Sequence, residues 1–273
     1  MNRVAPELAY GVSALAQLNT NKVGEVTVFH AKELGRLVQR FKVLKRDGGA
    51  RLYLRKLNLD RIACLTYFDA SFAQEEGLKS QCGMFSVLTD QEVVDRQVLG
   101  DLVEYEGSTI RRVVRSTMAA GSAALSKSLD RQLYLRLMVE TLLYGQPELQ
   151  DKDWRTELRI PGILATDAKS LYDNLQKGGS LPAERQTLLD VLVAKDLIEQ
   201  KCISIRWLPN AHPFADFLTR PEVVTPNLQV FLRQGIVSLV PTQAQADDEA
   251  HRLELRRGQR QRAKERKEAR RTR

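Results

Sequence analysis

The chain has 273 residues, 43% of them hydrophobic, enough for one substantial core or for a core with a small appended unit. No run approaches the roughly 18 to 20 uninterrupted apolar residues of a membrane span, and Met1-Asn2-Arg3-Val4-Ala5-Pro6-Glu7 lacks the apolar core of a signal peptide. The expectation is a globular intracellular protein, cytoplasmic or nuclear, with no membrane partner; its formal charge of +8 equals the surplus of eleven Arg or Lys over three Glu within residues 250–273, so the remaining body is neutral.

Three cysteines, Cys64, Cys82 and Cys202, form no CxxC pair and read as reduced, buried small side chains. Residues 5–45 predict two helices, about Pro6 to Leu18 and about Val28 to Leu44, before Gly48-Gly49 breaks the pattern. The apolar run Ala63-Cys64-Leu65-Thr66-Tyr67-Phe68 predicts a strand covered on both faces and ending at Asp69. A second strand is expected over Cys82 to Leu88, and a third near Ile110 to Val114 after a turn at Glu106-Gly107-Ser108. The longest helical pattern follows, capped by Ser116 or Thr117 and running to about Tyr144 with Leu125, Leu129, Leu133 and Leu137 in a stripe.

Ile160 to Thr166 predicts a fourth strand ending at Asp167, then a helix over Lys169 to Leu175. A helix from Pro182 to about Gln200, a strand over Ile203 to Trp207 and a short helix over Pro213 to Leu218 complete the order. Leu228 to Val240 reads as one more packed helix or strand, before a tail, Arg252 to Arg273, too polar to fold alone. That tail, with Arg256 and Arg257, suits a solubilising terminus, a phosphate-neutralising arm or a nuclear-import patch. This order calls for an α/β fold: a mixed sheet of about five strands with helices on both faces.

Asp69 and Asp167 fall at corresponding strand ends. If those strands are neighbours, their carboxylates converge at one sheet edge, where oxygen ligands can hold Mg²⁺; an Asp at a strand end equally serves turns and caps.

Four blocks then fall in register with a known family. Leu65-Thr66-Tyr67-Phe68-Asp69-Ala70-Ser71-Phe72-Ala73, Arg115-Ser116-Thr117-Met118-Ala119-Ala120, Thr166-Asp167-Ala168-Lys169-Ser170-Leu171-Tyr172, and Ile205-Arg206-Trp207-Leu208-Pro209 with Ala215-Asp216-Phe217-Leu218-Thr219-Arg220 resemble the ribonuclease H domain of copia-type retrotransposon polyproteins. Residues 1–58, with Pro6-Glu7-Leu8-Ala9-Tyr10-Gly11-Val12 and the helix after His30, resemble the connection segment at the end of the reverse transcriptase region. The implied organisation is that segment, a ribonuclease H-like domain over 59–222, a packed extension over 223–245 and the basic tail over 246–273. Tyr67-Phe68-Asp69-Ala70 lacks the second aspartate of the polymerase signature, so no polymerase activity is implied.

The resemblance implies a four-carboxylate site in which two Mg²⁺ ions flank the scissile phosphate of the RNA strand of an RNA–DNA hybrid. Asp69, Asp167 and Asp216 match three of the ligands. The fourth is a Glu early in the long helix, where this chain has Gly121; Glu104 and Glu106 lie before the expected third strand, and Glu140 lies about 28 Å further along the helix. Impaired or absent cleavage is therefore expected, with a non-catalytic nucleic-acid-binding or scaffold module as the alternative. Partners implied are the hybrid or another nucleic acid, and the polymerase part of a larger polyprotein.

His212, four residues before Asp216, is a candidate auxiliary group, and Lys79, Ser80, Arg111, Arg112 and Arg115 are candidate backbone contacts. His30 and His251 read as surface residues, and Trp207 as a sheet-face position rather than a base-stacking platform.

Overall fold

In the computed structural model, residues 5–16, 27–46, 54–75, 79–145, 154–176, 182–208, 214–220 and 226–240 are described. A long strand, β1 (Ile62–Glu75), folds back on β2 (Lys79–Asp90), which pairs with β3 (Val98–Thr109), both antiparallel. Helix α3 (Thr117–Tyr144) then crosses the sheet, and β4 (Gly162–Thr166) and β5 (Ile203–Trp207) add in parallel beyond β1. With the short β6 (Ile236–Val237) on the far edge, the order is β5-β4-β1-β2-β3-β6. This is a ribonuclease H-like mixed sheet, with one small strand more than the five expected.

Alternation along the strands builds two cores. Ala63, Leu65 and Tyr67 of β1, Phe85 and Val87 of β2, and Ile163 and Ala165 of β4 face one side. They meet Phe214, Phe217 and Leu218, with Leu228 and Phe231 of α7 (Pro226–Gln234). Phe68, Cys82, Leu164, Ile203 and Ile205 face the other side, against Leu125 and Leu129 of α3, Leu171 of α5 (Lys169–Gln176) and Val191 and Ala194 of α6 (Arg185–Glu199). All three cysteines are buried and free, as expected. At the N-terminus α1 (Ala9–Ala16) lies against β3, and α2 (Val28–Arg46) packs on α1 through Leu37. A single turn, α4 (Trp154–Glu157), precedes β4 and half-buries Trp154 against the second core.

Several expectations need correction. The third strand is Val98–Thr109, not Ile110 to Val114. Glu106-Gly107-Ser108 is no turn: these residues pair with Met84, Gly83 and Cys82. Gly107 is required by close approach, since a Cβ there would lie 2.8 Å from the Leu218 carbonyl oxygen. Glu104 and Glu106 lie inside the strand, reaching Arg131 and Lys127 of α3, and β1 runs past Asp69 to Glu75. Helix α6 begins at Arg185 rather than Pro182, and the helix expected up to Leu218 is a 3-10 turn, Asp216–Leu218. Leu228 to Val240 holds both a helix and a strand, α7 and β6. Among the described residues no helix is long and apolar enough to cross a membrane.

Two polar side chains of α3 tie the halves of the sheet together. Gln132 donates to the carbonyl oxygens of Cys64 and Ile163, on β1 and β4. Arg136, 1% exposed, donates to those of Ile160 and Cys202, just ahead of β4 and β5. Burial pushes its guanidinium pKa down, yet five fixed donors keep it the natural bridge between carbonyls of separate segments. Replacing Arg136 by Leu keeps most of the volume but strands two buried carbonyls, so urea unfolding is expected to show a loss of about 3 kcal/mol. The exposed change Arg131→Leu, which breaks only the Glu104 pair, is expected to cost under about 1 kcal/mol.

Candidate metal centre

The parallel ladder between β1 and β4 ends at Tyr67 opposite Ala165. Two residues further on stand Asp69, within β1, and Asp167, just past the end of β4, on the side that also bears Tyr67 and Ala165. The 3-10 turn Asp216–Leu218 lies over that face, where Gly83 and Gly107 pair and leave room for Leu218. One carboxylate oxygen from each of Asp69, Asp167 and Asp216 lies within 4.8 Å of the others.

The surrounding groups position these carboxylates without neutralising them. Thr219 Oγ1 donates to Asp69 Oδ2, and Arg220 Nη1 stands 4.0 Å from Asp216 Oδ2. The Asp167 backbone carbonyl accepts from Trp207 Nε1 at 3.1 Å, and Lys169 Nζ lies 3.8 Å over the Trp207 ring. Trp207 thus buttresses the Asp167 turn from the sheet rather than offering a free stacking face. Burial, then the neighbouring Asp69 charge, raises the Asp167 carboxyl to about 6, with Arg220 opposing. Burial raises Asp216 to about 8, aided by Asp69 and Asp167.

Asp69 and Asp216 are each 7% exposed, and Asp216 Oδ1 is buried without a hydrogen-bond partner among the described residues. Three crowded carboxylates, two of them holding their protons well above the usual range, fit a hard divalent cation such as Mg²⁺. A proton is the substitute when no cation is bound.

Gly121 is buried in the second turn of α3. Among the described residues a Cβ there would meet Leu171 Cδ2 alone, at an ordinary 3.5 Å, so their packing does not demand glycine. Glu140 accepts from the backbone of Arg159 and Ile160 at the far end of α3, consistent with its expected distance from the site.

The other candidates divide. Lys79, Arg111 and Arg115 are exposed, whereas Ser80 is buried and accepts from Ala73 N at the β1–β2 hairpin. Arg112 pairs with Asp190 of α6. His212, Arg256, Arg257 and His251 lie outside the described residues, and His30 accepts from Thr27 N at the start of α2. Thr219 and Arg220 went unassigned in the sequence, although three- and four-residue spacings from Asp216 on a helical turn were the available signal.

The linked protons give a testable sign. A carboxyl whose pKa is raised on folding is bound by fewer protons in the unfolded chain, so stability falls as pH rises from about 4 towards the folded values of about 6 and about 8. Metal-free Asp216→Asn is therefore expected to melt higher than the unaltered chain at pH 8, by about 2 kcal/mol, with the gap closing by pH 4. Thermal unfolding in EDTA at the two pH values checks this; an unchanged or lowered melting temperature at pH 8 would contradict the crowding of these carboxylates.

No protein-family model matches the sequence, and no curated protein does. Among solved structures, the chain is similar to a ribonuclease H1 from the halophilic archaeon Halobacterium salinarum at 18% identity and a TM-score of 0.37, covering 57% of this chain and 94% of that one. It is similar to the N-terminal ribonuclease H domain of a Mycobacterium tuberculosis protein at 15% identity and a TM-score of 0.37, over 58% and 91%. The prototype foamy virus ribonuclease H domain overlaps at 11% identity and a TM-score of 0.33, over 58% and 93%. It is the strand order, not these overlaps, that defines the fold.

Proposed function

We propose that this chain is a ribonuclease H-like domain of copia-type retroelement origin that engages RNA–DNA hybrids through a divalent-cation centre at Asp69, Asp167 and Asp216, with cleavage impaired by Gly121. The observation that carries this reading is the convergence of three aspartates from three separate segments on one sheet edge, with a buried carboxylate oxygen left unpaired among the described residues. In this reading residues 59–222 form the nuclease-like unit, 1–58 the connection segment, 223–245 a packed extension and 246–273 a basic tail that adds phosphate contacts.

Asp69, Asp167 and Asp216 would hold Mg²⁺, which when bound supplies neutralisation of phosphate charge and an easier attack by water. The chain's own groups do the positioning. Thr219 aims the Asp69 carboxylate by donating to it, Arg220 restrains Asp216, and Trp207 with Thr166 fixes the turn that presents Asp167. All of this sits on strands and tight turns rather than on long loops, which is what a site of fixed geometry requires. A Glu at position 121 would add a fourth carboxylate from α3, and Gly121 offers no oxygen. Such a missing contact lowers a rate by about 10²–10³ or more.

A second reading, a binding module that keeps the fold without cleavage, is favoured by Gly121 itself, since cleavage is the property that the change removes. Cleavage of a labelled RNA–DNA hybrid with Mg²⁺ or Mn²⁺ separates the two. The unaltered chain is expected to cut slowly or not at all, and Gly121→Glu to gain at least about 10²-fold, with Asp69→Asn abolishing that gain. A folded Gly121→Glu that binds Mg²⁺ yet gains nothing would overturn the assignment of position 121. Brisk cleavage by the unaltered chain would show that three aspartates suffice.

A further inference from the structure

We propose that the outer face of α2 is a docking surface for the phosphate backbone of the nucleic-acid duplex presented to the acidic site; this rests on the functional reading above. Helix α2 carries Lys32, Arg36, Arg40, Lys42, Lys45 and Arg46 against one acidic residue, Glu33. The body of the chain is neutral once residues 250–273 are set aside, so a local excess of five on 19 residues is a segregated charge, not a sample of a basic surface.

The geometry directs that charge outward. The inner side of α2 is narrow: Leu37 is the buried residue, with Phe41 and Leu44 half-buried, packed on Leu8, Val12 and Leu15 around α1. All six cations are exposed. At 100° per residue, Lys32, Lys42 and Arg46 fall within about 40° of the direction opposite Leu37, with Arg36 and Arg40 on one flank, along about 21 Å of helix. Lys32, Arg40 and Lys42 have no carboxylate partner among the described residues, whereas Arg36 is paired with Glu33.

A chain of contacts joins this surface to the carboxylates. From α1, which α2 covers, Ser13 Oγ donates to the Gly107 carbonyl at 2.7 Å. Gly107 lies against the Leu218 carbonyl, Leu218 belongs to the turn that begins with Asp216, and Thr219 holds Asp69. The basic helix is therefore one helical layer from the acidic centre, over the same face of the sheet. Three carboxylates repel a polyanion, and at the centre itself Arg220 is the protein cation among the described residues that opposes their charge. Helix α2 supplies the missing attraction, by phosphate contacts that read no sequence.

A basic helix can also lie on an anionic membrane, but that requires an apolar face free to insert. Here Leu37, Phe41 and Leu44 are occupied by α1; the exposed Val28 and Phe29 sit at one end, and the exposed Leu34 and Val43 lie on opposite sides of the helix, so they form no continuous apolar face.

The test uses the full chain, a 20-base-pair RNA–DNA hybrid and fluorescence anisotropy in EDTA, so that cleavage plays no part. The triple variant Lys32→Gln, Arg40→Gln, Lys42→Gln is expected to bind at least about 10-fold more weakly at 0.1 M salt and to flatten the slope of log affinity against log salt by about 2 to 3, from about 0.9 per lost phosphate contact. A charge-matched control, Arg185→Gln, Lys195→Gln, Arg206→Gln, changes cations on α6 and β5 and is expected to lose less than about 3-fold. Equal losses in both variants, or an unaltered slope in a triple variant with an unchanged melting temperature, would overturn the proposal. So would loss of binding to phosphatidylserine vesicles with hybrid binding retained, which would assign α2 to a membrane surface. If Mg²⁺ still raises the melting temperature while the α2 variant binds normally, the docking surface fails and the metal centre stands; if Mg²⁺ has no effect, it is the metal centre that fails.

Discussion

The parallel pairing of β1 with β4 is the constraint on which the rest of the site depends. Its last pair, Tyr67 opposite Ala165, brings Asp69 and Asp167 out at the same level and on the same face. A slip of one residue would turn Asp69 towards α3 and expose Tyr67 to the wrong core, so hydrophobic burial enforces the register that the carboxylates need. Asp216 joins them only because the glycine pair Gly83 and Gly107 lets the backbone of its turn lie directly on the sheet. Packing, in short, forces together three negative charges that would otherwise stay apart.

That crowding opposes folding in the metal-free chain. Buried like charges are tolerated where something else over-determines the backbone, and here the two cores on either side of β1 do so. Electrostatics and packing therefore pull in opposite directions at one sheet edge, and a bound divalent cation would reconcile them. The neutral body with its basic outer helix repeats the division on a larger scale: an acidic cluster and a basic helix lie on one side of the sheet.

Much of this was legible in the amino-acid order. The apolar run before Asp69, the Ser116 cap of the long helix and the alternation of Ile203 with Ile205 and Trp207 carry strong local signals, and each element formed there, although β1 runs on past Asp69 to Glu75. The third strand did not, because Glu104 and Glu106 look like loop residues until Arg131 and Lys127 of α3 are placed beside them, and because Gly107 looks like a turn until Leu218 is placed against it. Those partners come from distant segments. Asp69 and Asp167 could be read as a pair from strand ends, whereas the place of Asp216 rested on resemblance and the roles of Thr219 and Trp207 needed three-dimensional contacts.

The buried guanidinium of Arg136 has a consequence for how the chain reaches this state. Its acceptors, Ile160 and Cys202, lie 24 and 66 residues away, each just ahead of a parallel strand. The antiparallel half, β1 to β3, can zip through neighbouring segments, but Arg136 cannot give up its water until both parallel strands have arrived. The hydrogen bonds of Arg136 are therefore complete only with the second half of the sheet closed, and Asp167, just past β4, belongs to that half. The three carboxylates stand together only in a chain whose two halves of the sheet have joined, so any capacity to hold a cation would depend on the completed fold.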